Sequence, residues 1–354
     1  MGSPSAAADP LVRVLVPHAL EARAPALGGH VHALVGRTMG TTWSVRFVGP
    51  RTLRPEPVTQ AIQRELDEVV AQMSPWEPDS DITHFNRAPA GSWQVLPSAF
   101  FEVLQYGLTV ARDSAGAYDP TAGALVGAWG FGPTGRHDEP GFAPPSPTEA
   151  AAARALSGWH RIEVDASTHR VRQPGGVQLD LSAIAKGYAV DRVGRMLAQR
   201  FGFDDALVEV GGELCGNGLK PDGQPWWVAL ESAPQLRDGA WSVDADLPQT
   251  RIALHRLSVA TSGDYRRFFQ RGGTHYPHTI DPRSGQSIGH GLALVTVLHE
   301  SCMAADALST ALTVLGPTDG PAWAEQRGIA ALFVARRPDG GLEDRMSSAF
   351  AALA

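Results

Sequence analysis

The stretch AADALSTALTVLG, from Ala304 to Gly316, carries polar oxygens and apolar side chains at helical spacing. On a helix, Asp306, Ser309 and Thr310 fall on one face, while Leu308, Ala311, Leu312 and Leu315 form an i, i+3, i+4, i+7 stripe on the other. An oxygen-lined face backed by core suits a hard cation. Mg2+ prefers carboxylate, hydroxyl and carbonyl oxygens, and usually takes only a few from protein while substrate phosphate and water complete its shell. Taken alone, the segment fits an ordinary amphipathic helix better, its polar side simply meeting solvent. The remainder of the chain tips the balance toward chemistry.

A second candidate is LDLSAIAKGYAVD, residues 179–191, which runs from a strand end into a helix. Ser182 is the expected N-cap, the amides of the first turn would favour an anion, and Lys186 adds a point charge. An ordinary strand-to-helix junction with a solvated lysine fits this segment equally well. Lysine occurs only at Lys186 and Lys220, against twenty-eight arginines, so a lysine inside a motif stands out. VGGE (210–213) and ATSGDY (260–265) are small-residue turns after apolar strands, either close approaches to a ligand or plain bends. Neither matches GxGxxG or GxxxxGK[ST], so a Rossmann or P-loop nucleotide site has no direct support.

YPHTIDPRSG, residues 276–285, gathers an imidazole, a carboxylate and a guanidinium in a Pro-restricted segment. His278 and Asp281 can be read as a base and its orienting partner, with Arg283 on a phosphate. A structural histidine and an Asp281–Arg283 ion pair account for the same residues. AYDPT (117–121) and SPW (74–76) place Tyr118 and Trp76 beside turns, where a ring either stacks on a flat heteroaromatic ligand or packs into the core.

These groups need a scaffold. The pattern predicts a strand, a Gly-containing turn and a second strand over 31–47, then helices over 58–73 and 98–115. Residues 132–148, GPTGRHDEPGFAPPSPT, form the plainest surface loop, since Pro and Gly deny both regular structures. A helix over 147–156, short strands near 161–164 and 169–172, and a helix over 182–201 follow. Strands then fill 206–261, an irregular region spans 270–290, and strands at 292–298 and 329–335 flank the Asp306 helix. Mixed elements without strict βα alternation indicate an α+β fold, and no internal repeat is visible.

The 354 residues, 43% apolar, suffice for one large domain or two closely packed ones. A net charge of −7 without a long basic run speaks against a nucleic-acid surface. Cys215 and Cys302 are too few for a disulfide framework and lack zinc spacing, although one disulfide stays open. No run reaches transmembrane length, so no integral membrane segment is expected. Residues 1–30, rich in Ala and Pro, read as a flexible arm without an export signal. A cytoplasmic placement is expected for the chain as written, and a periplasmic or membrane-anchored one if a native N-terminal segment has been removed.

In order along the chain, MGTTWSVRF (39–47), MSPWEPDSDITHFN (73–86), AYDPTAGALV (117–126), DLSAIAKGYAVDRV (180–193), VEVGGELCGNG (208–218), VATSGDY (259–265), HTIDPRSG (278–285) and ADALSTALTVLG (305–316) resemble the ApbE family of flavin transferases. The resemblance covers nearly everything after residue 35. It implies a single α+β domain over 31–354, related to the T-fold, and an enzyme that moves FMN from FAD to a threonine or serine of a target protein, releasing AMP.

It further implies that FAD lies between Met39, Trp76, the turn Ala117-Tyr118-Asp119, Asp180, Lys186 and the backbone around Ile280. Mg2+ is implied near Ala183, through its carbonyl, Asp306, Ser309 and Thr310. Ser309 is a weaker ligand than a carboxylate, so modest metal affinity is expected. With Asp306 holding the metal, His278 is the candidate base, and Asp281 or a metal-bound water is the alternative. Hydrolysis of FAD to FMN and AMP, and non-enzymatic FAD binding, are the competing readings. The family suggests acceptors among flavin-bearing redox subunits.

Overall fold

Burial on both faces of one sheet organises the chain. The computed structural model describes residues 12–17, 28–237, 240–243 and 247–353. Eight strands, β1 (Gly29–Thr38), β2 (Thr41–Pro50), β3 (Ala206–Val210), β4 (Glu213–Asn217), β5 (Leu257–Gly263), β6 (Leu292–His299), β7 (Ala330–Arg336) and β8 (Leu342–Met346), pair antiparallel in chain order. Alternate side chains go to opposite sides. Val45, Phe47, Val297 and Phe333 join the helices' core, while Val48, Val259, Leu298 and Leu332 pack with Trp226, Ile252, Leu254 and Phe350. Double burial explains why β6 reads LALVTVLH, apolar on both faces rather than alternating, with Thr296 the one polar residue among its buried positions.

The helical layer comprises α1 (Glu56–Met73), α2 (Asp81–Arg87), α3 (Ser98–Asp113), α4 (Gly123–Ala128), α5 (Pro147–Leu156), α6 (Ala185–Phe201) and α7 (Cys302–Arg327). A short α8 (Ser348–Ala351) closes the chain's described part. The strand pairs β1–β2 and β3–β4 flank α6, and β5–β6 and β7–β8 flank α7. The backbone therefore repeats a unit of two strands, helix, two strands, although the sequence shows no internal repeat. The helices α6 and α7 pack against each other. Asp191 of α6 fixes that contact by accepting from the amides of Cys302 and Met303 and the hydroxyl of Ser301 at the start of α7.

Several expectations change. The predicted arm is partly ordered: Val12–Leu15 is a strand, parallel to Gln249–Leu254, with Leu15 fully buried. Residues 1–11 and 18–27 lie outside the described residues. The region 270–290 is not irregular but holds two tight hairpins, Phe268–Arg271 with Thr274–Pro277 and Ile280–Asp281 with Gln286–Ser287. The Asp306 helix runs on to Arg327, past a break at Gly316 (φ 82°) before Pro317. Both cysteines are free thiols. The expected loop after residue 132 is present and largely exposed up to the capping box of Ser146 and Glu149 that starts α5.

Candidate functional site

The polar face of α7 is buried, which rules out the solvent-facing reading. Asp306 is 4% exposed and Ser309 1%. Across from them the end of β5 brings Ser262, whose Oγ lies 3.1 Å from Ser309 Oγ and 3.2 Å from Thr310 Oγ1. Three hydroxyls thus meet beside α7, and Ser309 Oγ also lies 2.9 Å from the Asp306 carbonyl, to which it can donate. Burial raises the Asp306 carboxyl above its usual range, against the pull of Lys186 and the Gly187 amide.

The partner of Asp306 comes from α6. Gly187 N–H donates to Asp306 Oδ2 at 2.9 Å, whereas a regular helix would send that amide to the Ala183 carbonyl. The expected anion at this helix start is therefore the protein's own carboxylate, and Ala183 keeps an oxygen free of its helical donor. Ser182 is not the N-cap, because residues 182–184 form a turn and α6 begins only at Ala185. The Ser182 amide is taken instead by Asp180 Oδ1 at 2.8 Å. Close approach of the two helices requires glycine at 187, where a Cβ would stand 2.3 Å from the Cys302 carbonyl oxygen.

Lys186 reaches the other way, to Glu213 Oε1 at 2.5 Å. Glu213 is 2% exposed, and its second oxygen has no partner. Burial pushes the Glu213 carboxyl up, to about 7, against the pull of Lys186. Burial also works against charge on Lys186, but Glu213 and Asp306 outweigh it and hold the ammonium above its ordinary range. The adjoining turn, Gly211-Gly212, receives Arg266, whose Nη1 donates to the Gly211 carbonyl at 3.1 Å while the guanidinium also pairs with Glu231.

His278 opens the second hairpin. Its Nδ1 lies 3.1 Å from the Arg267 carbonyl, an oxygen that can only accept, so Nδ1 carries the proton and Nε2 presents a lone pair. Burial lowers its pKa to about 4, helped by the positive charges of Arg267, Lys186 and Arg266, so the ring is neutral at physiological pH. Asp281 does not orient this histidine. Its carboxylate accepts from Arg283 Nε at 2.9 Å and Nη2 at 3.1 Å, which occupies both the expected orienter and the expected phosphate binder.

The residues expected around FAD divide into rings that are available and rings that are not. Trp76 is 41% exposed. Tyr118 is core, its hydroxyl beside Gly107 of α3 and pushed well above its usual range by burial and by Asp306, Asp180 and Asp119. Ala117 is buried, and Asp119 ties the turn together by accepting from Thr121 and from the Trp159 amide. What this turn offers a ligand is backbone. A cavity of about 340 Å³ opens next to it, lined by Gly116, Asp119, Arg154, Trp159, His160 and Arg283. Ile280 is also buried, beside Leu125 and Trp129, so only its backbone is on offer. Met39 sits at φ 50° in the two-residue turn between β1 and β2, a left-handed conformation a non-glycine residue seldom adopts.

The oxygen-rich donor set fits Mg2+. One carboxylate, hydroxyls and the Ala183 carbonyl are hard oxygens, and so few of them would leave places on such a cation for substrate phosphate and water. Among the described residues no three His, Cys, Asp or Glu side chains form a metal-binding group. Sequence reasoning had not assigned Ser262, Glu213, Gly187 or Arg266 to the site. Ser262 and Glu213 stood inside quoted motifs, and their polar side chains at the ends of apolar strands were the available signal.

The model of the ApbE family matches residues 39–333. The FAD:protein FMN transferase of Vibrio cholerae is 36% identical over 316 residues, covering 89% of this chain and 90% of that one. The FAD:protein FMN transferase of Haemophilus influenzae is 35% identical over 326 residues, covering 90% of each. Among solved structures, the apo form of the Pseudomonas stutzeri flavinyl transferase ApbE matches with a TM-score of 0.81 at 40% identity, over 92% of this chain and 97% of that one. The flavin transferase ApbE from Vibrio cholerae matches with a TM-score of 0.80 at 33% identity, over 92% of this chain and 100% of that one. With the fold, the ordered motifs and these matches in agreement over nearly its whole length, the chain belongs to the ApbE family.

Proposed function

We propose that this chain is a FAD:protein FMN transferase whose site couples a neutral imidazole to a buried, oxygen-rich cation site. The observation that carries this reading, in a chain of this family, is the buried Asp306 carboxylate held by the Gly187 amide next to Lys186, whose charge acts on both Asp306 and the neutral ring of His278. The transferase domain is taken to run from residue 31 to 354. FAD is the substrate, and the acceptor is a threonine or serine hydroxyl of a target protein.

The hydroxyl oxygen attacks the phosphorus on the riboflavin side of the pyrophosphate. A phosphoester bond forms, the bond to the AMP oxygen breaks, and the hydroxyl proton passes to His278 Nε2. Asp306, Ser309, Thr310 and the Ala183 carbonyl are the residues that would hold Mg2+, with Ser262 bracing the two hydroxyls. Bound there, Mg2+ supplies Lewis-acid neutralisation of the charge that builds on the phosphate oxygens. Lys186 adds a fixed positive charge, kept ionised and aimed by Glu213. Trp76 offers its ring to the flavin.

The test incubates the full chain with FAD, Mg2+ and a threonine-containing peptide from a flavinylated protein, and follows the peptide mass. A gain of one FMN, lost in Asp306→Ala, is the expected result. Free FMN and AMP from FAD, with both this peptide and intact flavin-accepting proteins left unmodified, would assign hydrolysis instead. FAD bound but unchanged would assign storage.

A further inference from the structure

Trp76 does not stand alone. Its indole, the exposed ring of the candidate site, has two guanidinium carbons at 5.9 Å from its centroid, those of Arg136 and Arg267. Arg267 is the residue whose carbonyl accepts from both the amide and the ring of His278. Arg136 comes from the 132–148 loop, which contributes none of the blocks that resemble the family.

That loop is anchored, not loose. Phe131 and His137 both lie 5.6 Å from the Phe269 ring, and Phe142 meets the same ring edge-on at 5.3 Å. Arg271 donates to the Phe142 carbonyl at 2.6 Å. Gly130 (φ 74°) makes the entry, where a Cβ would stand 2.5 Å from the Phe142 ring. Asp138 then aims Arg136, accepting from its Nε at 2.8 Å and pairing with its Nη2. Both the Arg136 side chain and Trp76 stay about half exposed, so a flat ligand can reach the ring with the guanidinium beside it.

We propose that Arg136 is a flavin-positioning residue: with the isoalloxazine on the indole of Trp76, its half-exposed guanidinium, which lies over that ring in the structure, shifts outward and, carried by the anchored loop, packs against the exposed side of the flavin. A planar guanidinium stacks on an aromatic face in a way an ammonium does not, and it can donate to the ring carbonyls. This inference rests on the reading of Trp76 as the flavin platform.

The experiment measures FAD binding to the full chain through flavin fluorescence, with AMP as the probe lacking a flavin, for wild type, Arg136→Ala, Arg136→Lys and Trp76→Ala. Arg136→Ala is expected to weaken FAD by roughly 3- to 30-fold, the range of a guanidinium over an aromatic ring. AMP binding should not change, the loss in turnover should fall on KM for FAD, and Arg136→Lys should lie between. FAD binding unchanged in Arg136→Ala but weakened in Trp76→Ala overturns the proposal and leaves the platform standing. FAD binding unchanged in both overturns the platform as well. Equal weakening of FAD and AMP in Arg136→Ala assigns a general charge effect and also overturns the proposal.

Discussion

His278 and Glu213 are shifted in opposite directions, and each shift makes a separate prediction. The histidine's native pKa, about 4, lies below its ordinary 6.5. Between those values the unfolded chain binds a proton that the native one refuses, so His278 contributes stability that is present above 6.5 and lost as pH falls toward 4. Glu213, raised from 4.5 to about 7, does the reverse: its contribution is present below 4.5 and lost as pH rises through 7. The slopes oppose, so each shows only as a difference from its own variant. Melting temperature followed from pH 4 to 8 should show His278→Gln gaining on wild type toward acid, and Glu213→Gln gaining toward alkali. In turnover, His278→Gln should lower kcat by about 10²- to 10⁴-fold, the usual range for a lost general base. A full-rate His278→Gln would remove the histidine from the mechanism. Both residues stood in quoted motifs, but only His278 was assigned a role. Glu213 was missed because its meaning depends on Lys186, far away in sequence and brought to 2.5 Å by the packing of α6 on the sheet.

Gly187 decides whether α6 and α7 can meet. A methyl there would strike the Cys302 carbonyl oxygen and, at 2.8 Å, Asp306 Cβ, and both belong to the facing helix. Gly187→Ala should cost about 1–3 kcal/mol as an overpacked contact. It should also cut transfer by at least about ten-fold, because the same clash moves Asp306. Gly194, two turns further on the same helix, has open space around its would-be Cβ. Gly194→Ala should therefore stabilise, by up to about 1 kcal/mol, through helix propensity alone. Thermal melts of the two variants side by side check both signs, and a neutral Gly187→Ala would show that the helices can part without loss. At this scale the sequence was most readable where periodicity was long, as in α1, α3 and the Asp306 helix. It was least readable where the backbone follows a partner. The start of α6 was misplaced because the Ile184 and Ala185 amides, which a Ser182 cap would take, go to the Leu181 carbonyl, and Asp306 takes the Gly187 amide that a helix would send to Ala183. The hairpins of 270–290 were missed because Pro and Gly mark turns there without showing the short strands between them.

Across the whole molecule, the repeated unit of two strands, helix, two strands divides the candidate site. Ala183 leads into α6 and Lys186 and Gly187 lie in its first turn, while Ser262, His278 and Asp306 belong to the strand, hairpin and helix of the second unit. No local pattern could expose this, since the two units share a backbone plan and not a sequence. A ligand held by both should resist their separation and so raise the stability of the whole chain by mass action. A ligand at a hundred times its Kd adds about 2.7 kcal/mol to the native state. FAD alone should therefore raise the melting temperature by a few degrees. Mg2+ added to FAD should raise it further, because cation and phosphate share a shell, while Mg2+ without FAD should do less, given one carboxylate among neutral oxygens. In Asp306→Ala the FAD increment should persist and the additional Mg2+ increment should vanish. An Mg2+ increment of equal size in that variant would place the cation elsewhere. An FAD increment absent from wild type would mean that the two halves are not bridged by the flavin nucleotide.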